Sequence, residues 1–246
     1  MKTGNPRKWN SGVRFLHWLA LVLLIVAATL GFWAEDLPTG PAQLKLFATH
    51  KSVGLSILLL VLVRIAWRFM TRPAPAIEGL PVASQRSASM GHGILYAVLI
   101  LLPLSGWWLT SVANFPFQWF DLFRVPMLLA ANTDSTEQSL AALAHRTFFW
   151  FLLVLTIGHV AMVWHHQRKK ITVLPRMLPG SVPAVAFFAS LALLAALLIT
   201  WAIYAAGVVG DQDAQQNGQA DKASMASAGT ANPTESNAGF NAASLG

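Results

Sequence analysis

The sequence predicts an all-α fold made of five transmembrane helices. Of its 246 residues, 55% are hydrophobic and only 11% are charged, whereas a soluble domain typically carries about 25% charged residues. A surface this poor in charge requires lipid as its main solvent. Five segments also have the length of about 20 mostly apolar residues that a membrane-spanning helix needs. They cover approximately residues 15–33, 52–70, 94–113, 141–164 and 182–209.

The first span follows four basic residues, namely Lys2, Arg7, Lys8 and Arg14. A secretory signal peptide has the same positive start, but its apolar region is only about 7–15 residues long. The apolar stretch is longer here, and it opens with His17-Trp18. We therefore expect the first span to remain in the protein as a transmembrane helix.

The second, third and fourth spans are associated with histidines, and the fifth is rich in alanine. His50 immediately precedes the second span, His92 precedes the third, and His145 lies where the fourth begins. Small side chains on the fifth span favour close packing on the other helices or on a partner. Between the third and fourth spans, residues 115–129 are rich in Phe and Trp, which predicts a segment lying along the membrane surface.

The C-terminal residues 211–246 are dominated by Ala, Gly, Asn, Gln and Ser. A segment of this composition has too little apolar surface to form a packed core. We therefore expect a disordered tail after the fifth span.

Basic residues are concentrated on one side of the predicted bundle. Twelve of the 17 Lys and Arg residues lie on this side, together with one acid, Glu78. They belong to the N-terminal segment, to the end of span two with the loop that follows it, and to the segment after span four. The other side holds five basic and nine acidic residues, so the net charge of +7 divides into +11 and −4. Because basic residues favour the cytoplasmic side, we expect the N-terminus in the cytoplasm and the C-terminus on the outer side of the membrane.

The excess positive charge does not indicate a nucleic-acid partner, because long apolar runs separate the basic residues and no continuous basic surface forms. The expected partner of this surface is membrane lipid. The chain contains no cysteine, which excludes disulfides, cysteine-ligated iron–sulfur clusters and covalent haem attachment through a C-x-x-C-H motif. The seven histidines are the remaining candidates for cofactor chemistry.

Four of these histidines fall at two depths in the membrane. His145 and His159 are 14 residues apart in span four, which is within about 40° of four full turns and about 21 Å along the helix axis. Their side chains therefore share one helix face. By depth, His50 is the partner of His145 on the outer side, and His17 is the partner of His159 on the cytoplasmic side. Two opposed imidazoles are the ligand set of a six-coordinate haem b iron.

Two other interpretations of these histidines remain open. The first is a zinc site, although zinc usually takes four ligands, often including cysteine or carboxylate, and neither histidine pair offers them. Hydrogen bonding between helices without a cofactor is the second interpretation, although ionisable residues in membrane helices are rare and usually functional.

Further candidates surround the histidines. Arg64, which lies 14 residues after His50, and Arg14, one turn before His17, are candidates for pairing with haem propionates. The alternative for both arginines is extension to lipid headgroups. On the outer side, Lys51 adjoins His50 and Arg146 adjoins His145, and both offer the same kind of donor.

Two glycines and one histidine add to this set. Gly54 lies one turn after His50 and Gly158 precedes His159, so the missing side chains favour the approach of a flat macrocycle. Ordinary small-residue helix packing is the alternative. His92 is a candidate for contacting a quinone or for supporting a ligand.

Several short motifs together resemble the bacterial cytochrome b561 family. Each motif is weak alone, whereas the combination is specific and covers roughly residues 10–180. The motifs include Val13-Arg14-Phe15-Leu16-His17-Trp18, His50-Lys51-Ser52-Val53-Gly54, Gly91-His92-Gly93, Pro103-Leu104-Ser105-Gly106-Trp107 and Gly158-His159-Val160-Ala161.

This resemblance implies a transmembrane four-helix bundle in the bacterial inner membrane that holds two non-covalent haems b. One haem would lie between His17 and His159, and the other between His50 and His145. It also implies electron transfer to or from the membrane quinone pool, with a possible protein redox partner. The alternatives are a superoxide oxidase that uses quinone as acceptor, and a cytochrome b subunit of a larger oxidoreductase, so an electron carrier and an enzyme both remain open.

The chain departs from the compact family pattern after Gly180. We therefore expect residues 1–180 to form the di-haem bundle, residues 181–210 to form an additional fifth transmembrane helix, and residues 211–246 to form a periplasmic tail. A membrane anchor without haem is the competing hypothesis from a different functional class.

Overall fold

Five long helices dominate the computed structural model, which describes residues 8–71, 81–129, 134–171, 173–179, 182–208 and 222. Each of the five is long and apolar enough to cross a membrane, which confirms the all-α, five-span prediction. The expected tail lies outside the described residues apart from residue 222, as do Lys2, Arg7, Arg72 and Glu78 of the charge count. The helices are α1 (Ser11–Asp36), α2 (Pro41–Met70), α3 (Val82–Val112), α4 (Ser135–Arg168) and α5 (Ala184–Ala205).

The first four helices extend beyond the apolar spans that the sequence predicts. α2 begins at Pro41, a residue that suits the first turn of a helix because its missing N–H has no partner there. His50 therefore lies within α2 rather than before it. His92 likewise lies ten residues into α3 rather than at its beginning. Hydropathy locates the membrane-embedded part of each helix, but polar flanking residues remain helical outside it.

Side chains of the residues before α1 and α4 set where these helices begin. The side chain of Asn10 accepts a hydrogen bond from the backbone N–H of Gly12 at 2.8 Å. Asp134 accepts one from Thr136 at the same distance. Each satisfies one of the backbone donors that the first turn of a helix leaves unpaired.

Consecutive helices pack side by side, with α1 on α2, α2 on α3 and α3 on α4. α5 packs mainly against α1. Trp18 near the start of α1 contacts the rings of Phe187 and Phe188 near the start of α5, so these two helices run in the same direction. Ala195 and Ala202 of α5 are buried, as expected for small residues at a close helix contact.

α4 has a different relationship to the rest of the bundle. It packs along α3, and it contacts α1 through the rings of Phe149 and Phe32, whose centroids are 5.3 Å apart. Few of its described side chains are fully buried, and many of the exposed ones are apolar. Both features suit a helix whose outer surface faces lipid. The face that α4 turns toward α1 and α2 carries the histidines of the candidate site.

Residues 115–129 fold into a structure more specific than a surface-lying segment. Two short strands, β1 (Gln118–Trp119) and β2 (Phe123–Arg124), pair antiparallel. Phe120 and Asp121 between them have φ values of 45° and 60°, the left-handed conformation that a tight hairpin turn requires.

Hydroxyl groups on α2 hold this hairpin against the bundle. The Oγ of Ser52 accepts a hydrogen bond from the backbone N–H of Phe120 at 3.2 Å and lies 3.3 Å from the carbonyl oxygen of Gln118. The indole N–H of Trp119 donates to the Oγ of Ser56 at 3.1 Å. The hairpin therefore covers the end of α2 that carries His50.

Candidate functional site

His50 of α2 and His145 of α4 form the first of two opposed imidazole pairs. Their ring centroids are 6.2 Å apart and the ring planes are nearly perpendicular, at 88°. The Nδ1 of His50 lies 2.8 Å from the carbonyl oxygen of Ala27, and that of His145 lies 3.1 Å from the carbonyl oxygen of Leu102. Because a carbonyl only accepts hydrogen bonds, each Nδ1 carries the proton. Nε2 is then free to act as a metal ligand.

A glycine on a neighbouring helix lies directly behind each of these two rings. A Cβ added at Gly31 of α1 would lie 3.0 Å from Cε1 of His50. A Cβ added at Gly106 of α3 would lie 3.0 Å from Cε1 of His145. The absence of a side chain therefore lets each imidazole pack on a helix backbone. Spacing along the chain points to neither glycine, although Gly106 falls within one of the family motifs.

A cavity of about 220 Å³ opens between these two histidines. Both imidazoles line it, together with mostly apolar side chains from α1, α2, α3 and α4, among them Leu21, Ile57 and Leu99. Gly54 also lines the cavity, and a Cβ added there would meet no atom within 4 Å. The shape and chemistry of this space suit a flat, largely apolar group held between two nitrogen ligands.

His17 of α1 and His159 of α4 form the second pair. Their ring centroids are 6.4 Å apart, with an angle of 72° between the planes. His92 of α3 adds a third imidazole, because its ring centroid lies 5.3 Å from that of His159. The Nδ1 of His92 lies 2.6 Å from the carbonyl oxygen of Ala88. The contact between His92 and His159 depends on how α3 and α4 pack, so the spacing along the chain did not reveal it.

Neither end of the bundle offers a set of protein ligands for a bare metal ion. Within the part of the chain that the structure describes, no group of three or more His, Cys, Asp or Glu side chains is arranged to hold one. The two facing imidazoles of each pair fit a metal whose other ligands come from a macrocycle. This donor set therefore suits haem better than zinc, which usually takes four ligands in protein sites.

Arg64 of α2 lies at the end of the bundle that carries His17 and His159. It is only 8% exposed, and it interacts electrostatically with both of these histidines. Its guanidinium carbon lies 5.3 Å from the ring centroid of Tyr96. The Nε of Arg64 and the hydroxyl of Tyr96 are buried without a hydrogen-bond partner among the described residues. Arg64 therefore points into the bundle rather than to lipid headgroups.

Arg14 links the start of α1 to the segment that follows α4. Its Nη1 donates a hydrogen bond to the carbonyl oxygen of Leu178 at 2.8 Å. The indole N–H of Trp18 donates to the carbonyl oxygen of Met177 at 3.0 Å. The Nε of Arg14 is buried without a hydrogen-bond partner in the described structure, so part of this guanidinium is available to an acceptor near His17.

The basic residues next to the His50–His145 pair each have a partner of their own. The Nζ of Lys51 lies 3.4 Å from the carbonyl oxygen of Phe115 and 5.6 Å from the centroid of its ring. Arg146 forms an ion pair with Glu35 at 3.1 Å, in which both side chains are largely exposed. The charge of Arg146 is therefore balanced locally.

Comparison with known proteins gives a consistent result. The chain matches the family Prokaryotic cytochrome b561 over residues 8–180, a range that contains α1 to α4. It is 26% identical over 181 residues to Cytochrome b561 homolog 2 of Escherichia coli (strain K12), which covers 73% of this chain and 95% of that protein. It is 30% identical over 178 residues to Probable superoxide oxidase CybB of Yersinia pestis, which covers 67% of this chain and 92% of that protein.

Proposed function

Since the chain belongs to the prokaryotic cytochrome b561 family of haem b membrane electron-transfer proteins, we propose that it carries electrons across a bacterial membrane through two haem b groups. The observation that carries this proposal is the presence of two opposed imidazole pairs, His17–His159 and His50–His145, in one helical bundle. Haem b, when bound, supplies an iron that takes up and releases one electron. The histidines of each pair would hold it by their Nε2 atoms.

The protein orients these ligands through backbone carbonyls. Hydrogen bonds from Nδ1 of His50 to Ala27 and from Nδ1 of His145 to Leu102 fix the ring orientation and increase the basicity of Nε2. Two histidine ligands leave no coordination position for oxygen, which favours electron transfer without substrate binding to the metal. The apolar walls of the cavity exclude water from the same region.

Two arginines supply donors for the carboxylates of a haem near His17 and His159. Arg64 is buried with its Nε unpaired, and Arg14 has a buried Nε without a partner, both among the described residues. Charge-assisted hydrogen bonds to carboxylates are stronger than neutral ones. Lys51 is the corresponding donor near His50.

Membrane quinone is the proposed partner within the lipid phase. We place its site near the His17–His159 pair, where His92 and Arg14 add polar groups. The basic residues at this end, such as Arg68 and Arg168, support a cytoplasmic location for it. In this proposal residues 1–180 form the electron-transfer unit, and residues 181–210 add a helix that packs on α1.

A second candidate function is superoxide oxidation at the periplasmic surface. It is favoured by Lys51, which lies beside His50, by Arg124 on the hairpin above it, and by the similarity to a protein named a probable superoxide oxidase. Local positive charge attracts an anionic substrate. Two superoxide anions would give up one electron each and leave as oxygen, while one quinone takes up the two electrons and two protons to become a quinol.

Reconstitution into liposomes that contain ubiquinone tests both candidates. Electron transfer predicts that haem reduced by an external donor is reoxidised when quinone is present. Superoxide oxidation predicts, in addition, quinone-dependent consumption of superoxide with one quinol formed for two superoxide anions. An Arg124→Gln variant should slow superoxide consumption while reoxidation by quinone continues, because Arg124 lies on the hairpin and is not a proposed haem contact. A protein that binds no haem would instead be a membrane anchor, and this result would reject both candidates.

A further inference from the structure

Buried positive charge is distributed unequally between the two histidine pairs. On the basis of the proposed function, we propose that Arg64 makes the His17–His159 site the one with the higher reduction potential. Electrons would then move from the His50–His145 site toward the His17–His159 site.

Among the described residues, Arg64 has no carboxylate partner inside the bundle. It is 8% exposed and interacts electrostatically with His17 and His159. The other ionisable groups that interact with it are His92, Tyr96 and Arg68, and Arg68 carries a charge of the same sign. Among the described residues, the ion pair found joins Arg146 to Glu35 and lies at the other end.

The other site has weaker positive charge around it. Lys51 interacts electrostatically with His50, but it is only half-buried, and its ammonium group lies against the carbonyl oxygen and the ring of Phe115. Arg146 is paired with Glu35, and the two side chains are 69% and 62% exposed. Water and salt screen exposed charges much more than buried ones.

The sign of the effect follows from the charge of the iron. The ferric form carries one more positive charge than the ferrous form, so a nearby cation destabilises the ferric form more. In the low-dielectric interior this interaction is several times stronger than at the surface. Arg64 should therefore favour reduction at the His17–His159 site. The transfer itself moves one electron from ferrous iron at the His50–His145 site to ferric iron at the other, and no bond forms or breaks.

A redox titration that follows the haem absorbance tests the inference in purified protein whose haem content has first been measured. His145→Ala and His159→Ala variants identify which potential belongs to which site. Arg64→Gln removes the charge and Arg64→Lys keeps it. Arg168→Gln is the matched control, because Arg168 lies 5.2 Å from the ring of Trp164 at the same end of α4 but is exposed.

In the unmodified protein, the His17–His159 site should have the higher midpoint potential. Arg64→Gln should shift the ferric-to-ferrous equilibrium at that site by at least tenfold, which is about 59 mV for a one-electron couple. Arg64→Lys should cause no more than about half of this shift in midpoint potential, and Arg168→Gln should cause less than about a third of it. A cation that only anchors a carboxylate would instead change haem content without changing the potential of the haem that remains.

The inference is overturned if Arg64→Gln moves neither potential, moves both equally, or moves mainly that of the His50–His145 site. If Arg64→Gln does not retain haem at the affected site, the order of the two potentials with Arg64 intact decides the question, and a higher potential at the His50–His145 site rejects the inference. A protein that binds two haems with the reverse order rejects this inference alone. A protein that binds no haem rejects the proposed function.

Discussion

His50 and His145 face each other from α2 and α4 with their ring centroids 6.2 Å apart, and a glycine lies behind each ring. Gly31 of α1 supports the first ring and Gly106 of α3 supports the second. Four helices therefore determine the position of two imidazoles. The hydrogen bonds from Nδ1 to backbone carbonyls leave both Nε2 atoms available, so the proposed ligands are preorganised by packing as well as by hydrogen bonding.

Replacing Gly106 by alanine should weaken haem binding at one site. The new Cβ would lie 3.0 Å from Cε1 of His145, so the ring must move away from its present position. We expect the haem content of the purified Gly106→Ala protein to fall from two toward one per chain, measured as the pyridine haemochrome. Gly93→Ala on the same helix is the control, because a Cβ there meets nothing within 4 Å. The Gly93→Ala protein should retain both haems. A Gly106→Ala protein that kept two haems and an unchanged spectrum would contradict the close fit between Gly106 and the ring of His145.

His159→Ala should remove one haem and leave the other. His159 faces His17 across the second pair, whereas His50 and His145 do not depend on it. We expect about one haem per chain and a single midpoint potential in a redox titration. His166→Ala, on the same helix beyond the pair, should keep both. If His159→Ala retained two haems with unchanged spectra, the pairing of ligands would be wrong.

Ser52→Ala should loosen the hairpin at residues 118–124 without disturbing the helices. The Oγ of Ser52 is buried and accepts the backbone N–H of Phe120. Leaving that N–H unpaired costs about 1–3 kcal/mol. We expect faster amide hydrogen exchange in the hairpin, resolved by mass spectrometry. Ser87→Ala is the control, since Ser87 bonds only within its own exposed helical turn among the contacts described. Equal exchange in both variants would contradict the role of Ser52.

The proposed orientation can be tested with single cysteines, because the natural chain has none. Leu122 is 73% exposed at the tip of the hairpin, and Ser87 is exposed near the start of α3. A membrane-impermeant maleimide added to intact spheroplasts should label the Leu122→Cys protein. It should label the Ser87→Cys protein only after the membrane is permeabilised. The reverse pattern would place the N-terminus outside the cytoplasm.

The number of spans could be predicted from the sequence because bilayer thickness sets the length of an apolar helix. The ends of the helices could not, since Asn10, Pro41 and Asp134 set them in polar segments where hydropathy carries no signal. The hairpin was also missed. Its strands have only two residues each, and tertiary hydrogen bonds to α2, rather than local sequence preference, hold it in place.

The histidines of the candidate site were accessible from spacing, whereas their surroundings were not. A separation of 14 positions between His145 and His159 places both on one face of any straight helix. The same separation of 14 positions places Arg64 on the same face of α2 as His50, about four turns further along the helix. The glycine behind His50 depends instead on which face of α1 meets α2, and the contact between His92 and His159 depends on the packing of α3 on α4. No periodicity in the chain reports these relationships.

The pyridine haemochrome assay on the purified full-length protein tests the central claim most directly. Two opposed histidine pairs in one bundle predict two haems b per chain, with a Soret band and a reduced-minus-oxidised α band. A protein without a Soret band, or one that holds a single haem when saturated, would contradict the claim that both pairs are haem ligands.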